Sequence, residues 1–377
     1  MVAVLVNSLR TINRKVHKGW AAVLRGPSCP LWFKILRDSY TILSGRENFT
    51  VQQEDFFMSK TQRLTILAAW SCIALTCRAA APPDRQVAIT IDDLPAGNAY
   101  NMTAADITEM TTKLLAALRQ QKIPAVGFVN EKKLYRTGEV DERIKALDMW
   151  LDAGFELGNH TFSHTSLNKA GIKAWEDDVI QGENVTRLLL AQHKMTLRYF
   201  RHPYLDTGRD LQTRRDAEAF LVGRGYRIAP VTLDAWDWMF GSIYEDAKKR
   251  GDTAVQQEMV SAYLAHSDAV FAYYEQLSKQ IVGYEPKQIL LLHGNWLEAD
   301  HIGDLADLMR KRGYRFITLE DALSDQAYSL PDTYIGEEGT SWLDHWAITL
   351  GKPLQGFPAV PASVMERHDA LMKPHVP

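Results

Sequence analysis

The chain has 377 residues, enough for one large domain with extensions or for two modest domains. Apolar residues make up 46% and charged residues 24%, and 43 Lys+Arg against 46 Asp+Glu leave a charge of −3, which excludes the strongly basic surface of a nucleic-acid binder. The three cysteines, Cys29, Cys72 and Cys77, all precede the first expected strand, so a metal in the folded body must be held by histidines and carboxylates.

From Met58 the chain reads Ser-Lys-Thr-Gln-Arg, then an apolar run from Leu64 to Cys77, then Ala79-Ala80-Ala81 before Pro82-Pro83. A basic start, a short apolar stretch and small residues at a cut make residues 58–81 a secretory signal peptide, too short for a stable membrane span. Periplasmic or extracellular export follows, with membrane anchorage the lesser alternative. A lipoprotein cut at Cys77 is disfavoured because Ala74-Leu75-Thr76 lacks the small residue usual before the cysteine. Residues 1–57 carry eight Lys/Arg against four Asp/Glu, with no acid before Asp38. They read as a basic leader, disordered or, if translation starts at Met58, an artefact.

The first strand is Val87–Ile91, a β-prone apolar run that ends in Asp92-Asp93 before Leu94-Pro95. Beyond it, strand-like and helix-like stretches alternate, the pattern of β-α units around a parallel sheet. Thr103–Gln121 is a helix with Thr103 as cap, Ala125–Val129 a buried strand, Glu142–Ala153 a helix ended by Gly154. Phe155–Gly158 is a short strand delivering Asn159-His160, and Lys173–Gln192 is one helix. Leu197–Phe200 leads into Arg201-His202-Pro203-Tyr204, and Leu211–Arg224 is a helix. Tyr226–Val231 empties into Asp234-Ala235-Trp236-Asp237-Trp238. Thr253–Gln280 is a long helix, Ile289–Leu292 a strand ending at His293, Leu297–Arg312 a helix and Tyr314–Thr318 the last strand. The alternation of β-α units runs over residues 85–325, and 326–377 read as a Trp-containing extension packed on that unit.

Polar clusters recur at one end of successive strands, where β/α folds assemble their sites. His160 and His164 are four apart; if the chain turns helical there, both lie on one face and share a divalent metal. One aspartate of the Asp92-Asp93 pair completes a two-histidine, one-carboxylate set with open positions, the arrangement of a catalytic zinc. The other aspartate is then free to accept a proton from water. Taken alone, Asp92-Asp93 reads equally well as a capped turn.

Thr-Ile-Asp-Asp at 90–93, His-Thr-Phe-Ser-His at 160–164, Arg-His-Pro-Tyr at 201–204, Asp-Ala-Trp-Asp-Trp at 234–238 and Leu-Leu-His at 291–293 resemble, in order, the five motifs of the NodB-homology polysaccharide deacetylases, carbohydrate esterase family 4. The resemblance implies an α/β fold, a distorted (β/α) barrel of about seven parallel strands. It also implies hydrolysis of N- or O-acetyl groups on a carbohydrate with one divalent metal, Zn2+ first and Co2+ or Ni2+ as alternatives. Carried over residue by residue, Asp92 is the general base, Asp93, His160 and His164 are the metal ligands, and Arg201 orients the base through paired hydrogen bonds. Tyr204 offers its backbone N–H to the oxyanion, Pro203 rigidifies that turn, His293 is the general acid with Asp237 keeping it protonated, and Trp238 is an apolar wall. The substrate expected is an acetylated carbohydrate, with no nucleic acid.

Three departures stand out. Ile91 replaces the more usual aromatic residue, and Gly294-Asn295 follows the last histidine where many relatives place an acid. The stretch between Trp238 and His293 is long, as in an uncharacterised bacterial NodB-like subgroup. Tyr263, Phe271, Tyr273 and Tyr274 in it, and Tyr334, Trp342, His345 and Trp346 in the tail, are expected chiefly to pack. Two other functions compete: a NodB-like hydrolase of a non-sugar amide, and a catalytically silent carbohydrate-binding protein, which would need no metal-activated water.

Overall fold

A strand buried on both faces is written as a near-continuous apolar run, and β1 (Arg85–Leu94) follows that rule from Val87 through Ile91, with Thr90 its one polar residue there. The computed structural model describes residues 84–373; the leader and signal peptide expected over 1–57 and 58–81 lie outside the described residues. The further strands are β2 (Ala125–Val129), β3 (Glu156–Asn159), β4 (Tyr199–Phe200), β5 (Arg227–Ile228), β6 (Leu233–Asp234), β7 (Gln288–His293) and β8 (Tyr314–Phe316). Every pairing is parallel, in the order β5-β4-β3-β2-β1-β7-β6. This is the curled, distorted (β/α) barrel expected, with an eighth strand, β8, pairing with Arg85–Val87 at the start of β1.

The connecting helices are α1 (Ala104–Gln120), α2 (Val140–Asp152), α3 (Ile172–Gln181), α4 (Asn184–Gln192), α5 (Leu211–Gly223), α6 (Asp237–Arg250), α7 (Thr253–Ile281) and α8 (Trp296–Lys311); α9 (Trp342–Thr349) and α10 (Ala362–Met372) follow in the tail. Thr103 and Asp106 close a capping box on α1. The single helix expected over 173–192 is two, α3 and α4. A Cβ on Gly182 would fall 2.5–2.6 Å from the backbone of Thr161 and Phe162, so the break lets the His160–His164 loop pack against the end of α3. Helix α6 was not anticipated: its cap, Trp236, is left-handed at φ 55 and offers no capping oxygen.

The sheet path ends at β5 on one side and β6 on the other, and no pairing joins them. The tail occupies that breach. Trp342 N donates to Val231 O at 2.7 Å and Ser341 Oγ to Thr232 O at 3.1 Å, while His345 and Trp346 are buried behind them.

Candidate active site

Neighbouring residues on a regular strand point to opposite faces, so two adjacent carboxylates reach one site only if the ladder breaks. It does: the β1–β2 register slips between Ile91 and Leu94, and Asp93 takes the left-handed region at φ 71. Asp92 stays in the ladder opposite His293 of β7, and Gly294 N donates to Asp92 O at 2.9 Å.

His160 and His164 come together without the helical turn that is one way for their spacing to bring them to one face. Thr161 (φ 61) and His164 (φ 60) fold the loop back on itself. Asn159 Oδ1 accepts from Thr161 N at 2.7 Å, and Asp178 accepts from the backbone of Phe162 (2.9 Å) and Ser163 (3.0 Å). The two rings lie 4.8 Å apart. His160 Nδ1 is 2.8 Å from Arg201 O; a carbonyl only accepts, so Nδ1 carries the hydrogen and Nε2 the lone pair.

Asp93 Oδ1 stands 3.7 Å from His160 Nε2 and 3.5 Å from His164 Nε2. It is buried with no hydrogen-bond partner, and the three ligand atoms lie within 4.8 Å of one another. An orphaned carboxylate oxygen facing two imidazole nitrogens fits a divalent cation. Burial, and then the neighbouring imidazole, hold His160 well below the ordinary histidine range, and burial lowers His164 as well. Burial alone would raise Asp93, but the Lys133 ammonium, and after it His164 and His293, hold its carboxyl well below the usual range. Lys133, which the motifs did not point to, lies 3.3 Å from Asp93 Oδ2 and 3.2 Å from its carbonyl, with its side chain 6% exposed.

Arg201 is fully buried beneath Asp92. Its Nη1 donates to both carboxylate oxygens, at 3.2 and 3.3 Å, while Nη2 donates to Thr90 Oγ1 (2.9 Å) and Nε to Ala229 O (2.7 Å). The contact is therefore one forked nitrogen, not the side-by-side pair expected, because Thr90 and Ala229 claim the other donors. Burial pushes Asp92 up to about 6, against the lowering pull of Arg201 and His293.

At the end of β7, His293 Nδ1 is 2.7 Å from Asp237 Oδ1, and the His293 backbone N–H donates to Asp237 Oδ2 at 2.8 Å. Asp237 opens α6 and is fully buried, and Asn295 Nδ2 also donates to it at 2.9 Å. A Cβ on Gly241 would fall 2.9 Å from the Asn295 amide, so α6 admits that amide only with glycine there. Burial would lower His293, but Asp237 outweighs it and raises the imidazole to about 10.

The site opens into a cavity of about 860 Å3 lined by the Asp92-Asp93 pair, both motif histidines, His293, Tyr204 and Trp238. Pro203 and Tyr204 form a tight turn in which Tyr204 (φ 57) and Leu205 (φ 58) are both left-handed, with Tyr204 exposed at the rim. Trp238 is 41% exposed beside His368 of α10, whereas Tyr263 and Phe271 are buried in packing. The wall also holds Asp234, a motif residue given no role, and residues outside the motifs: Tyr273, Tyr274, and Glu337–Ser341 and Leu354–Phe357 of the tail.

The polysaccharide deacetylase family model matches residues 79–220, a span containing Asp92, Asp93, His160, His164, Arg201 and Tyr204. The similarity to that family is carried by residues 79–220, less than half of the chain. Asp237 and His293 lie beyond the matched span: the register of β7 with β1 sets His293 opposite Asp92, and Asp237 reaches the cavity through its contact with His293. Similar solved structures include a family 4 carbohydrate esterase from Streptomyces lividans in complex with acetate (20% identity, 63% of this chain and 96% of that one, TM-score 0.41). A polysaccharide deacetylase from Bacillus cereus is 15% identical over 62% of this chain and 91% of that one, with TM-score 0.43. A CE4 family pseudoenzyme from Bacillus anthracis is 16% identical over 65% and 67%, with TM-score 0.42. Among the described residues no helix is long and apolar enough to cross a membrane.

Proposed function

We propose that the domain is a metal-dependent hydrolase that removes N- or O-acetyl groups from a carbohydrate, exported from the cell by the segment 58–81. The observation that carries this is Asp93 Oδ1, buried without a hydrogen-bond partner between two imidazole nitrogens and next to a second carboxylate. Asp93, His160 and His164 would hold one divalent cation, zinc by the donor set, which when bound supplies Lewis acidity toward the acetyl carbonyl and acidifies water.

The chain's own groups then divide the proton work. Asp92, held by Arg201 and only part-ionised near pH 6, accepts the proton of the attacking water. The Tyr204 amide donates to the oxygen on which negative charge develops. His293, kept protonated by Asp237, gives its proton to the departing nitrogen or oxygen of the sugar. Trp238 walls the acetyl methyl. Acetate release from a panel of acetylated glycans, before and after chelation, tests the assignment: release that survives complete chelation contradicts it.

A further inference from the structure

A sheet with two unpaired edges leaves a breach, and a cavity at its strand ends would run out between β5 and β6. Here the tail fills that breach and becomes part of the cavity wall. Asn168 Nδ2 donates to the carbonyls of Gly336 (3.1 Å) and Glu337 (3.2 Å), and Gly339 N donates to Asp206 Oδ1 at 3.0 Å. Gly339 rests so closely on the Tyr204-Leu205 turn that a Cβ there would fall 2.2–2.3 Å from its backbone. Further along, Phe357 packs on Trp236 (5.6 Å), Tyr273 (5.3 Å) and Tyr274 (5.9 Å). One tail segment therefore touches the cavity at the Tyr204 rim and again at the Trp236 rim.

The cavity, about 860 Å3 and partly open to solvent, falls in the size range of clefts that hold a small molecule. Its chemistry is also one-sided. Apart from the proposed metal and acid–base groups, the wall carries Asp206, Asp234, Glu337, Glu338 and Asp344 against a single cation, Lys169. A uronate or phosphate would meet like charge there, while a neutral or amine-bearing sugar would not.

We propose, building on the deacetylase reading above, that this pocket takes the end of a short acetylated saccharide that is neutral or carries a free amine, with the tail segment 332–357 blocking passage of a continuous polymer. Specificity for chain ends thus resides in the tail, outside the residues matched by the family, and Glu337, Glu338 and Asp344 of that segment join Asp206 and Asp234 in opposing acidic glycans.

The test uses the full chain with added zinc. Two- to five-unit oligomers of N-acetylglucosamine and of acetylated xylose are compared with polymers of the same sugars and with uronate-bearing oligomers, the deacetylated unit being located by mass spectrometry. The expected result is acetate release per acetyl group about tenfold or more higher from short neutral oligomers, confined to a terminal unit. Phe357→Ala, which opens one end of the wall, should move the polymer-to-oligomer ratio toward one. Equal release from polymers, or interior deacetylation by the native chain, overturns the proposal while leaving the deacetylase reading intact. No acetate from any of these compounds counts against both.

Discussion

Asp93 is the residue on which the site turns, because its left-handed backbone lets it leave the β1 alternation and share a pocket with Asp92. If Asp92 acts on the proton and not on the cation, Asp92→Asn should lower acetate release by about a hundredfold or more while bound zinc stays at one equivalent by elemental analysis. Loss of the metal in that variant would sink the division of roles. The pH profile has a defined sign. Release should climb as Asp92 loses its proton near 6 and fall as His293 loses its own toward 10. A bound cation favours both deprotonated forms and so moves both limbs to lower pH. A rate that only rises up to pH 11 contradicts the acid role of His293. Lys133 makes a subtler prediction. Removing its ammonium leaves the buried Asp93 carboxylate unpaired, so Lys133→Met should cost the metal-free protein about 3–5 kcal/mol. The same change should enlarge the rise in Tm on adding zinc, which differential scanning calorimetry reads directly.

At the scale of elements, the helix break at Gly182 and the tail helix α9 both serve the sheet end. The loop carrying both imidazoles leans on α3, with Asp178 gripping Phe162 and Ser163. Gly182→Ala places a methyl where the Thr161 and Phe162 backbone now sits. Its expected outcome is a folded protein whose zinc affinity drops about 10–100-fold in a chelator competition, the cost typical of disturbing the support behind metal ligands. Unchanged affinity would show that the loop holds its shape alone. In α9, Trp346 is buried to 1% exposure in the breach between β5 and β6. Trp346→Ala should therefore cost about 3–5 kcal/mol in urea denaturation, as a large cavity does in any core.

For the molecule as a whole, the proposed ligands come from the end of β1 and from the loop after β3, so an occupying cation ties two parts of the sheet together. A ligand that binds only the folded state stabilises it, by about 2.7 kcal/mol at a hundred times its Kd. Chelation should lower the Tm of the native chain and leave that of His164→Ala unmoved. The long-range order was legible where burial writes itself into composition: Ala125–Val129 was read residue for residue, and the apolar core of β1 and β7 was read a few residues short. Strands β4, β5 and β6 are two residues each, held by neighbours rather than by any pattern of their own, and the sequence drew two of them too long. Helix α6 escaped because an aromatic residue stands at its cap.

By itself the sequence marked residues that line one cavity, since the five motifs lie at strand ends that local apolar runs already mark. It also required the chain to leave its pleat at the aspartate pair, and the structure has that departure at Asp93. Only the tertiary structure decided what surrounds those residues. It brought Lys133 to Asp93, Asn295 to Asp237 and the tail 337–357 to the cavity wall. Each of these joins positions far apart along the chain, and such contacts are chosen by packing and by the pairing of buried charge, neither of which leaves a local trace.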